Sequence, residues 1–387
     1  MRVLVAMSGG VDSSVAAARL VEAGHEVVGA TLKLWGGASD TGCCSVADVD
    51  DARRVADHLG IDHHTFAYAD EFETGVVGPY VAAHAAGATP NPCMACNREV
   101  KFGALLGRAE RLGFDAVATG HHARVVTGAD GVRRVGRGAD GAKDQSYVLA
   151  GLDHDRLGRV RFPVGSSTKA AVRAEAAALG LGTAAKPDSQ DVCFITRTDG
   201  RTRFLGRRLA LTPGVVVDAS GAAVGSVPAV EAVTIGQRRG LGLPGGTEPR
   251  YVVAADPGTA TVVVGTEADL RTAGQPVTAV GWAAAGSTLD ADLVWQVSAH
   301  GTPRVGRLIG DEVRWASPER RVAPGQALVA YEGDVVVAWA TAAPWPNRSG
   351  PDDLVTSSAA PHHPDLRRSV GRRIASESTP DGSAGPV

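Results

Sequence analysis

The sequence predicts a doubly wound α/β sheet in the first half of the chain and an all-β second half. The first observation is a short apolar run at residues 3–6 that leads directly into a glycine turn and a helical pattern. The second is the alternation of strand and helix patterns that continues to residue 179. The third is a change near Thr212 to short β runs separated by Gly, Pro and Asp. Such runs are typical of a small β domain followed by a barrel or a sandwich.

The elements of the first half follow from apolar spacing and from stop signals. Strands are predicted at residues 3–6, 27–34, 63–68 and 116–119, and helices at residues 13–22, 46–59, 72–86, 101–112 and 169–179. Gly60 ends the second helix, because glycine readily adopts the left-handed conformation found at helix C-termini. In a doubly wound sheet, ligands bind beyond the carboxyl ends of the strands.

The second half contains shorter strand patterns, at residues 215–218, 251–255 and 261–264 and onward to residue 342. We therefore expect an α/β domain at 1–205, a small central β-rich domain at 206–270 and a second β domain at 271–343. The last segment, 344–387, is rich in Pro, Ser, Gly and Asp and poor in apolar residues. We predict that this tail is disordered.

Composition and charge describe an ordinary globular protein. The 387 residues are 44% hydrophobic and 21% charged, which excludes a fibrous or wholly disordered chain. The net charge of -3 excludes a uniformly basic nucleic-acid binder but leaves room for a local basic face. No apolar run approaches the roughly 18 residues that span a bilayer, and no signal peptide is recognisable. We expect a cytoplasmic protein without membrane contact, whose five cysteines stay reduced.

The segment MSGGVDSS, residues 7–14, follows the first strand and opens the first helix. Its glycines let backbone amides approach an anion, and the helix start adds free N–H groups and a positive dipole. Asp12 is a candidate magnesium contact. The segment lacks the lysine of a Walker loop and the glycine spacing of a dinucleotide fingerprint. It therefore favours gripping the pyrophosphate released in an adenylation, against the alternative of a simple Gly-Gly turn with a polar helix cap.

The cysteines point to sulfur or metal chemistry. Cys93 and Cys96 form a CxxC in a Pro-rich loop near a predicted helix start, which would lower the thiol pKa of Cys96. Cys193 lies far away among apolar neighbours, and Cys43 and Cys44 form a pair before a helix. Cys93, Cys96 and Cys193 cannot complete a four-cysteine zinc site, but they could hold three irons of a [4Fe–4S] cluster. An inert buried thiol is the alternative for each.

The string SGGVDSS resembles the pyrophosphate loop of the N-type ATP pyrophosphatases. Further blocks occur in the order found in the bacterial tRNA-specific 2-thiouridylases, the MnmA/TrmU family. They are TPNPCMACNREVKF, ATGHHAR, KDQSYVLAGL, FPVGSSTKAAVR, KPDSQDVCFI, TIGQRRGLG and VAPGQALVAY. The resemblance runs from residue 2 to residue 342 and implies that the last β domain is a tRNA-contacting barrel.

The resemblance implies a role for each matching residue. It assigns Cys96 as the nucleophile and Cys193 as the persulfide carrier. The implied ATP-binding positions are Ala6, Met7, Ser8, Gly9, Gly10, Val11, Asp12, Ser13, Leu32 and Gly120. The implied tRNA-binding positions are Asn91, Pro92, His121, Lys143, Asp144, Gln145 and Gln326.

The implied reaction is a tRNA-uridine 2-sulfurtransfer that consumes ATP with Mg²⁺. ATP adenylates the C2 oxygen of wobble uridine 34, and sulfur replaces that oxygen while AMP and pyrophosphate are released. The sulfur travels as a persulfide or as hydrosulfide from it. The implied partners are tRNAs for Glu, Gln and Lys and a cysteine desulfurase or sulfur-relay protein.

Two departures from the family pattern are visible. Cys93 stands where many members have Asp, which leaves a [4Fe–4S] cluster on Cys93, Cys96 and Cys193 as an alternative to the persulfide relay. Ser298 and Ala299 stand where the family has a basic–aromatic pair. Two other functions stay open: a different adenylating amidotransferase or ligase, and a non-catalytic RNA-binding protein with a relic nucleotide loop.

Overall fold

The structure is a computed structural model that describes residues 1–34, 45–188, 192–195, 200–245, 248–284 and 291–345. Cys43 and Cys44 lie outside the described residues, as does the predicted tail from residue 346 onward. Within the described part, no helix is long and apolar enough to cross a membrane.

The described helices and strands alternate in the first half and are mostly strands afterwards. The α-helices are α1 Val11–Glu22, α2 Val46–Leu59, α3 Ala69–Phe72, α4 Gly78–Ala85, α5 Pro92–Ala95, α6 Leu105–Arg111, α7 His154–Gly158, α8 Lys169–Ala178 and α9 Gly200–Gly206. Two π-helical segments, Glu73–Val77 and Cys96–Ala104, and three 3₁₀ turns, Tyr147–Leu149, Val230–Ala232 and Ala268–Leu270, lie between them. The first nine strands are β1 Arg2–Ala6, β2 Glu26–Lys33, β3 His63–Ala67, β4 Ala116–Thr119, β5 Ala123–Thr127, β6 Arg133–Arg137, β7 Val160–Arg161, β8 Gly214–Val217 and β9 Ala223–Val227. The remaining strands are β10 Tyr251–Asp256, β11 Thr261–Gly265, β12 Arg271–Trp282, β13 Leu293–Gln296, β14 Arg304–Ile309, β15 Glu312–Arg320, β16 Ala327–Glu332 and β17 Val335–Ala342.

The predicted doubly wound sheet is confirmed. It is parallel throughout, with the strand order β3-β2-β1-β4-β7. Alternate residues of β1 enter two different cores, because successive side chains of a strand point to opposite faces. Val3 and Val5 pack with α1, α2 and α8, whereas Leu4 packs with the helices that follow β3 and Asn91.

The first-half boundaries agree with the sequence prediction except in two helices. Gly60 ends α2 in the left-handed conformation, as predicted, with φ of 68°. The helix predicted at 72–86 is interrupted by the π-helical segment Glu73–Val77. The helix predicted at 101–112 begins earlier, at Pro92, because the Asn91 side chain accepts a hydrogen bond from the Cys93 amide and caps it.

The second half separates into two β structures. Strands β10-β11-β8-β9 form a small mixed sheet over a valine-rich core. Strands β12-β15-β14-β13-β16-β17 form an antiparallel sheet that β12 and β17 close into a barrel. Trp295 fills the barrel core and is fully buried. The barrel is therefore the correct choice over a sandwich.

Hairpin β5–β6 was not predicted from the sequence. Its strands, ARVVT and RRVGR, contain four arginines and show no clean alternation of apolar and polar residues. In the structure the hairpin extends the barrel sheet through the pairing of Gly136 with Val335. The Arg124 side chain reaches Asp334 at 3.6 Å, next to this pairing. The hairpin thus joins the α/β layer to the barrel just before the KDQ segment, residues 143–145.

Candidate functional site

A cavity of about 380 Å³ lies at the carboxyl ends of β1, β2 and β4, where a doubly wound sheet binds ligands. The cavity brings most of the predicted site residues together. Those that line it are Ala6, Met7, Ser8, Gly10, Val11, Asp12, Ser13, Leu32, Pro92, Cys93, Cys96, Gly120, His121, Lys143, Asp144, Gln145 and Cys193. Gly9, Asn91 and Gln326 do not line it.

The glycine loop is held by its own serine hydroxyls. The Ser13 hydroxyl donates to the Gly10 carbonyl at 3.0 Å and accepts from the Ser8 amide at 3.2 Å. The Ser14 hydroxyl donates to the same carbonyl at 2.9 Å. These bonds fix the turn so that the start of α1, twelve residues long, faces the cavity with its free amides.

Two glycines of the site are required by close approach. Gly9 has φ of 69°, and a Cβ placed on it would lie 2.2 Å from the Asp48 carbonyl oxygen. A Cβ on Gly120 would lie 2.5 Å from the Ser13 amide nitrogen. Glycine therefore lets the start of α2 and the end of β4 pack directly against the loop.

A network of charged side chains lines the cavity beside the loop. Asp12 accepts from Lys169 Nζ at 2.6 Å and lies 3.1 Å from His122 Nε2. Lys169 Nζ also lies 2.9 Å from Asp188, which further binds Lys143 at 2.9 Å and Arg173 at 2.6 Å. We call Gly10, Asp12, Ser13, Lys169 and Asp188 the phosphate wall.

Both carboxylates of the phosphate wall are held ionised. Burial alone would raise the pKa of Asp12, but the hydrogen bonds from His122 and Lys169 outweigh it and bring that pKa below its usual value. Burial likewise opposes ionisation of Asp188, and Lys143 and Lys169 hold its pKa far below the usual range. Lys143 and Lys169 line the cavity beside these two carboxylates, so cationic side chains are in place next to the helix start for an anionic ligand.

Lys169 is a functional candidate that the sequence analysis missed. It is the first residue of α8, and its side chain is 11% exposed inside the cavity. Thr168 caps the helix, and the Lys169 amide donates to Asp140 at 2.9 Å, which fixes the direction of the side chain. The sequence signal was the lysine directly after a Ser-Thr cap, but its meeting with Asp12 is a tertiary contact.

The KDQ segment contributes one exposed cation and two structural side chains. Lys143 is 43% exposed and faces the cavity from its ion pair with Asp188. Asp144 is buried and accepts bonds from Arg137, the Gly138 amide and Ser146. Gln145 accepts from the His122 amide at 2.9 Å. Asp144 and Gln145 therefore shape the cavity wall.

His121 is a neutral imidazole inside the site. Full burial lowers its pKa well below the usual value, and the nearby positive charge of Lys101 adds to this effect. Its Nδ1 lies 2.7 Å from the Thr119 hydroxyl, and its ring lies 5.9 Å from the rings of Phe102 and Phe162.

The three cysteines line the same cavity as the charged side chains, and Cys96 and Cys193 pack on an apolar core. Cys93 lies in the first turn of α5, and Cys96 begins the π-helical segment one turn later with 8% of its surface exposed. The helix start that was expected to activate Cys96 thus lies nearer Cys93. Cys193 is half-buried and packs against the core that contains Phe72. We call the following residues the sulfur wall: Cys93, Cys96, Cys193, Leu34, Phe72, Val76 and Phe194.

The three thiols share the cavity but do not gather into a metal centre. Among the described residues, no three His, Cys, Asp or Glu side chains lie in a group that could hold a metal ion. The side chains as placed therefore do not fit a [4Fe–4S] cluster.

Comparison with known proteins identifies the family. A family model described as the tRNA methyl transferase HUP domain matches residues 1–197, and one described as the tRNA methyl transferase PRC-barrel domain matches residues 202–266. The tRNA-specific 2-thiouridylase MnmA of Mycobacterium tuberculosis (strain ATCC 25618 / H37Rv) is 49% identical over 364 residues, 89% of this chain and 96% of that protein. The protein of the same name from Mycobacterium ulcerans (strain Agy99) is 48% identical over 361 residues, 88% of this chain and 97% of its own. The chain belongs to the MnmA family.

Solved structures match the chain in part. The U34-tRNA thiolase NcsA from Methanococcus maripaludis, with its [4Fe-4S] cluster, has a TM-score of 0.33 at 20% identity, covering 49% of this chain and 60% of its own. The NMN synthetase from Francisella tularensis has a TM-score of 0.30 at 17% identity, covering 49% and 66%.

Two predicted MnmA-family positions lie outside the cavity and bind the segment that precedes the cysteines. Asn91 caps α5 through the Cys93 amide at 3.0 Å. Gln326, in the barrel, donates its side-chain amide to the Thr89 carbonyl. Both contacts act on the segment that leads into Cys93 and Cys96.

The barrel reaches the cavity at the position where this MnmA-family chain departs from the pattern. Ala299 and His300 line the cavity, and His300 is exposed. Gln296 donates to the Ser298 and Ala299 carbonyls at 2.9 and 2.8 Å, and it accepts from Arg137 at 2.9 Å. An imidazole thus lies one residue beyond the expected basic–aromatic pair.

Proposed function

We propose that the chain is an ATP-dependent tRNA-uridine 2-sulfurtransferase acting on wobble uridine. The observation that carries this proposal is that the glycine loop, Cys96 and Cys193 line a single cavity. The reaction needs both chemistries at one uridine, because adenylation activates the carbon that sulfur then attacks. The proposal places the chemistry in domain 1–205 and uses 206–270 and 271–343 to dock tRNA.

In the first step, ATP lies with its phosphates on the phosphate wall. Leu32 and Gly120 frame the nucleoside, and the amides at the start of α1 bind the pyrophosphate. The uridine O2 attacks the α-phosphorus, an O–P bond forms, and pyrophosphate leaves. Lys169 stabilises the charge that develops on the leaving group. Mg²⁺ would neutralise phosphate charge, and Asp12 would hold it together with phosphate oxygens.

In the second step, the sulfur wall supplies a persulfide on Cys193. The Cys96 thiolate attacks the sulfur of Cys193, the persulfide S–S bond breaks, and hydrosulfide leaves with the electron pair. Hydrosulfide adds to C2, loses its proton, and AMP departs to leave the thiocarbonyl. Alternatively, the terminal sulfur adds to C2 first and Cys96 breaks the S–S bond afterwards. Either order ends in a disulfide between Cys96 and Cys193, which a thiol reductant must reopen before the next turnover.

The family resemblance supports a proposal for the substrate and for the sulfur donor. We propose tRNAs for Glu, Gln and Lys as acceptors, and a cysteine desulfurase or a relay protein as the donor. Lys143 is half exposed beside the cavity and His300 borders it from the barrel, so both are placed to meet the tRNA. The uridine must leave its stack to reach the cysteines.

The test is mass spectrometry of tRNA nucleosides after incubation with ATP, Mg²⁺ and a sulfur source, with pyrophosphate measured in parallel. We expect 2-thiouridine and tRNA-dependent pyrophosphate release. A Cys193→Ser protein that still turns over a nucleophile other than sulfur would favour a different adenylating enzyme. A protein that binds tRNA but releases no pyrophosphate would be a non-catalytic RNA binder.

The sulfur carrier is tested separately. Anaerobically purified protein is assayed for iron and acid-labile sulfide, and the same samples are assayed for thiolation. Full activity without iron supports the persulfide on Cys193. If the iron content rises and falls with activity and is lost in Cys93→Ser, the sulfur carrier is a cluster and the persulfide proposal is wrong.

A further inference from the structure

The segment that leads into Cys93 and Cys96 is held by the barrel. The Thr89 amide donates to the Pro324 carbonyl at 2.7 Å, and the Thr89 carbonyl accepts from the Gln326 side chain. Gly325 lies between them with φ of 85°, and a Cβ placed on it would lie 3.2 Å from the Pro90 nitrogen. Both backbone groups of Thr89 are therefore satisfied by one turn of the barrel.

The central β region holds the same segment from a second side. The Thr89 hydroxyl lies 3.2 Å from the Thr234 hydroxyl, which Arg201 also contacts at 2.8 Å. A Cβ placed on Gly87 would lie 3.0 Å from Pro257 Cδ. Residues 87–90 are thus enclosed by parts of the chain that lie more than a hundred residues away in sequence.

The Thr89 contacts lie next to the start of α5, the helix that contains Cys93. Thr89 is two residues from Asn91, whose side chain caps α5 at the Cys93 amide. Tyr147 links the same barrel turn to the α/β layer, because its hydroxyl donates to the Ala327 carbonyl at 2.9 Å. The barrel residue Gln326 therefore acts, through Thr89, on the segment whose Asn91 caps the helix at Cys93.

We infer that Gln326 is a positioning residue for the nucleophile. It holds the Thr89 carbonyl, and through it the Asn91 cap, so that Cys96 faces the cavity in the protein before tRNA binds. The role differs from direct contact with tRNA, which the family resemblance implied for this residue. The inference deepens the proposed function, on which its kinetic readout rests, but its thiol readout stands without any thiolation activity.

The test compares Gln326→Met, which keeps the length of the side chain and removes its donor, with the wild-type protein. Iodoacetamide alkylation is followed without tRNA across pH 6.5–9.5, and the Cys93–Cys96 and Cys193 peptides are quantified separately by mass spectrometry. We expect alkylation of the Cys93–Cys96 peptide to rise at least threefold while that of Cys193 stays within a factor of two. In steady-state thiolation, kcat should fall at least tenfold while the KM for tRNA changes less than twofold.

Gly325→Ala is the second variant, because it leaves the Gln326 side chain chemically unchanged while a methyl group at a φ of 85° would lie 3.2 Å from the Pro90 nitrogen. It should reproduce both effects. Thr272→Val is the matched control: it removes a side-chain hydrogen bond of 2.8 Å to a carbonyl elsewhere in the barrel and should change neither readout.

Three results would overturn the inference. One is unchanged alkylation and kcat with a raised KM for tRNA, which is the behaviour of a direct tRNA contact. Another is an equal rise in alkylation at Cys193, which is the behaviour of general loosening. The third is the same change in Thr272→Val. If alkylation responds as expected but wild-type protein makes no 2-thiouridine, the positioning role holds and the proposed function fails.

Discussion

The two walls of the cavity are built by different means. The phosphate wall is polar, and its charged groups are fixed by ion pairs of 2.6–2.9 Å between Asp12, Lys169 and Asp188. The sulfur wall is apolar apart from its thiols, and Cys96 and Cys193 lie on the core that contains Phe72. Residues 87–90, which lead into it, are held by the barrel and the central β region as well as by their own domain.

The two walls differ because adenylation and sulfur transfer need different surroundings. Charge stabilisation needs dipoles and cations that are in place before ATP arrives, and the phosphate wall supplies them within the α/β layer. Sulfur transfer instead needs two thiols on one surface, and the apolar core beneath Cys96 and Cys193 provides that surface. The two walls should therefore fail independently when single residues are changed.

The largest expected effect comes from removing either thiol of the sulfur wall. Cys96→Ser and Cys193→Ser should each lower thiolation by about 10³-fold or more, since a covalent sulfur step has no substitute in the cavity. tRNA-dependent pyrophosphate release should stay within about threefold of wild type, because the phosphate wall is intact. Nucleoside mass spectrometry and a pyrophosphate assay measure the two steps. Equal loss in both assays would show that the walls are coupled.

On the opposite wall, Lys169→Met should lower tRNA-dependent pyrophosphate release by about 10²–10³-fold, as removal of a preorganised charge from a transition state does. Alkylation of Cys96 without tRNA should not change. Arg173→Met is the matched control, because Arg173 also pairs with Asp188 but does not line the cavity. A loss in Arg173→Met as large as in Lys169→Met would mean that the network is structural and that Lys169 has no special role.

The next largest expected effect is a loss of folding stability when Gly9 is replaced. Gly9→Ala should destabilise the protein by about 3 kcal/mol, because left-handed strain of about 1 kcal/mol adds to a clash with the Asp48 carbonyl. Gly24→Ala is the control, since Gly24 has φ of 75° and nothing within 4 Å of its Cβ position. It should lose only the strain. Urea unfolding with unchanged m-values measures both, and equal losses would contradict the packing role of Gly9.

Local signals explain what the sequence predicted correctly. The glycine loop, the start of α1 and the stop at Gly60 depend on neighbouring residues, so a single sequence contains the whole signal. The pairing of the loop with Cys96 and Cys193 came from family resemblance. Composition alone did not place these residues in one cavity.

What the sequence could not show depends on contacts across long separations. Lys169 and Asp12 are 157 positions apart, and Gln326 and Thr89 are 237 apart. Hairpin β5–β6 was missed for a related reason, because Ala123 and Val135 are buried in a core shared with Tyr331 and Val336 of the barrel, a contact that the local pattern does not show. The π-helical segment at Cys96 likewise departs from the 3.6-residue period that the analysis of apolar spacing assumes.

The smallest expected effect is the pH dependence of the free energy of unfolding that arises from His84, which lies near the segment that precedes the cysteines. His84, in α4 just before residues 87–90, is fully buried; its Nδ1 lies 2.8 Å from the Glu231 carbonyl oxygen, and its Nε2 has no hydrogen-bond partner. Burial lowers the pKa of His84 below its ordinary value. As the pH falls, His84 therefore gains a proton more readily in the unfolded chain than in the folded one. The stability contributed by neutral His84 is present above pH ~6.5 and is lost as the pH falls below it. The free energy of unfolding should be lower at pH 5.5 than at pH 7.5, and His84→Gln should reduce that difference. A loss of the same size in His84→Gln would assign the pH dependence to the other buried histidines, among them His121 of the cavity.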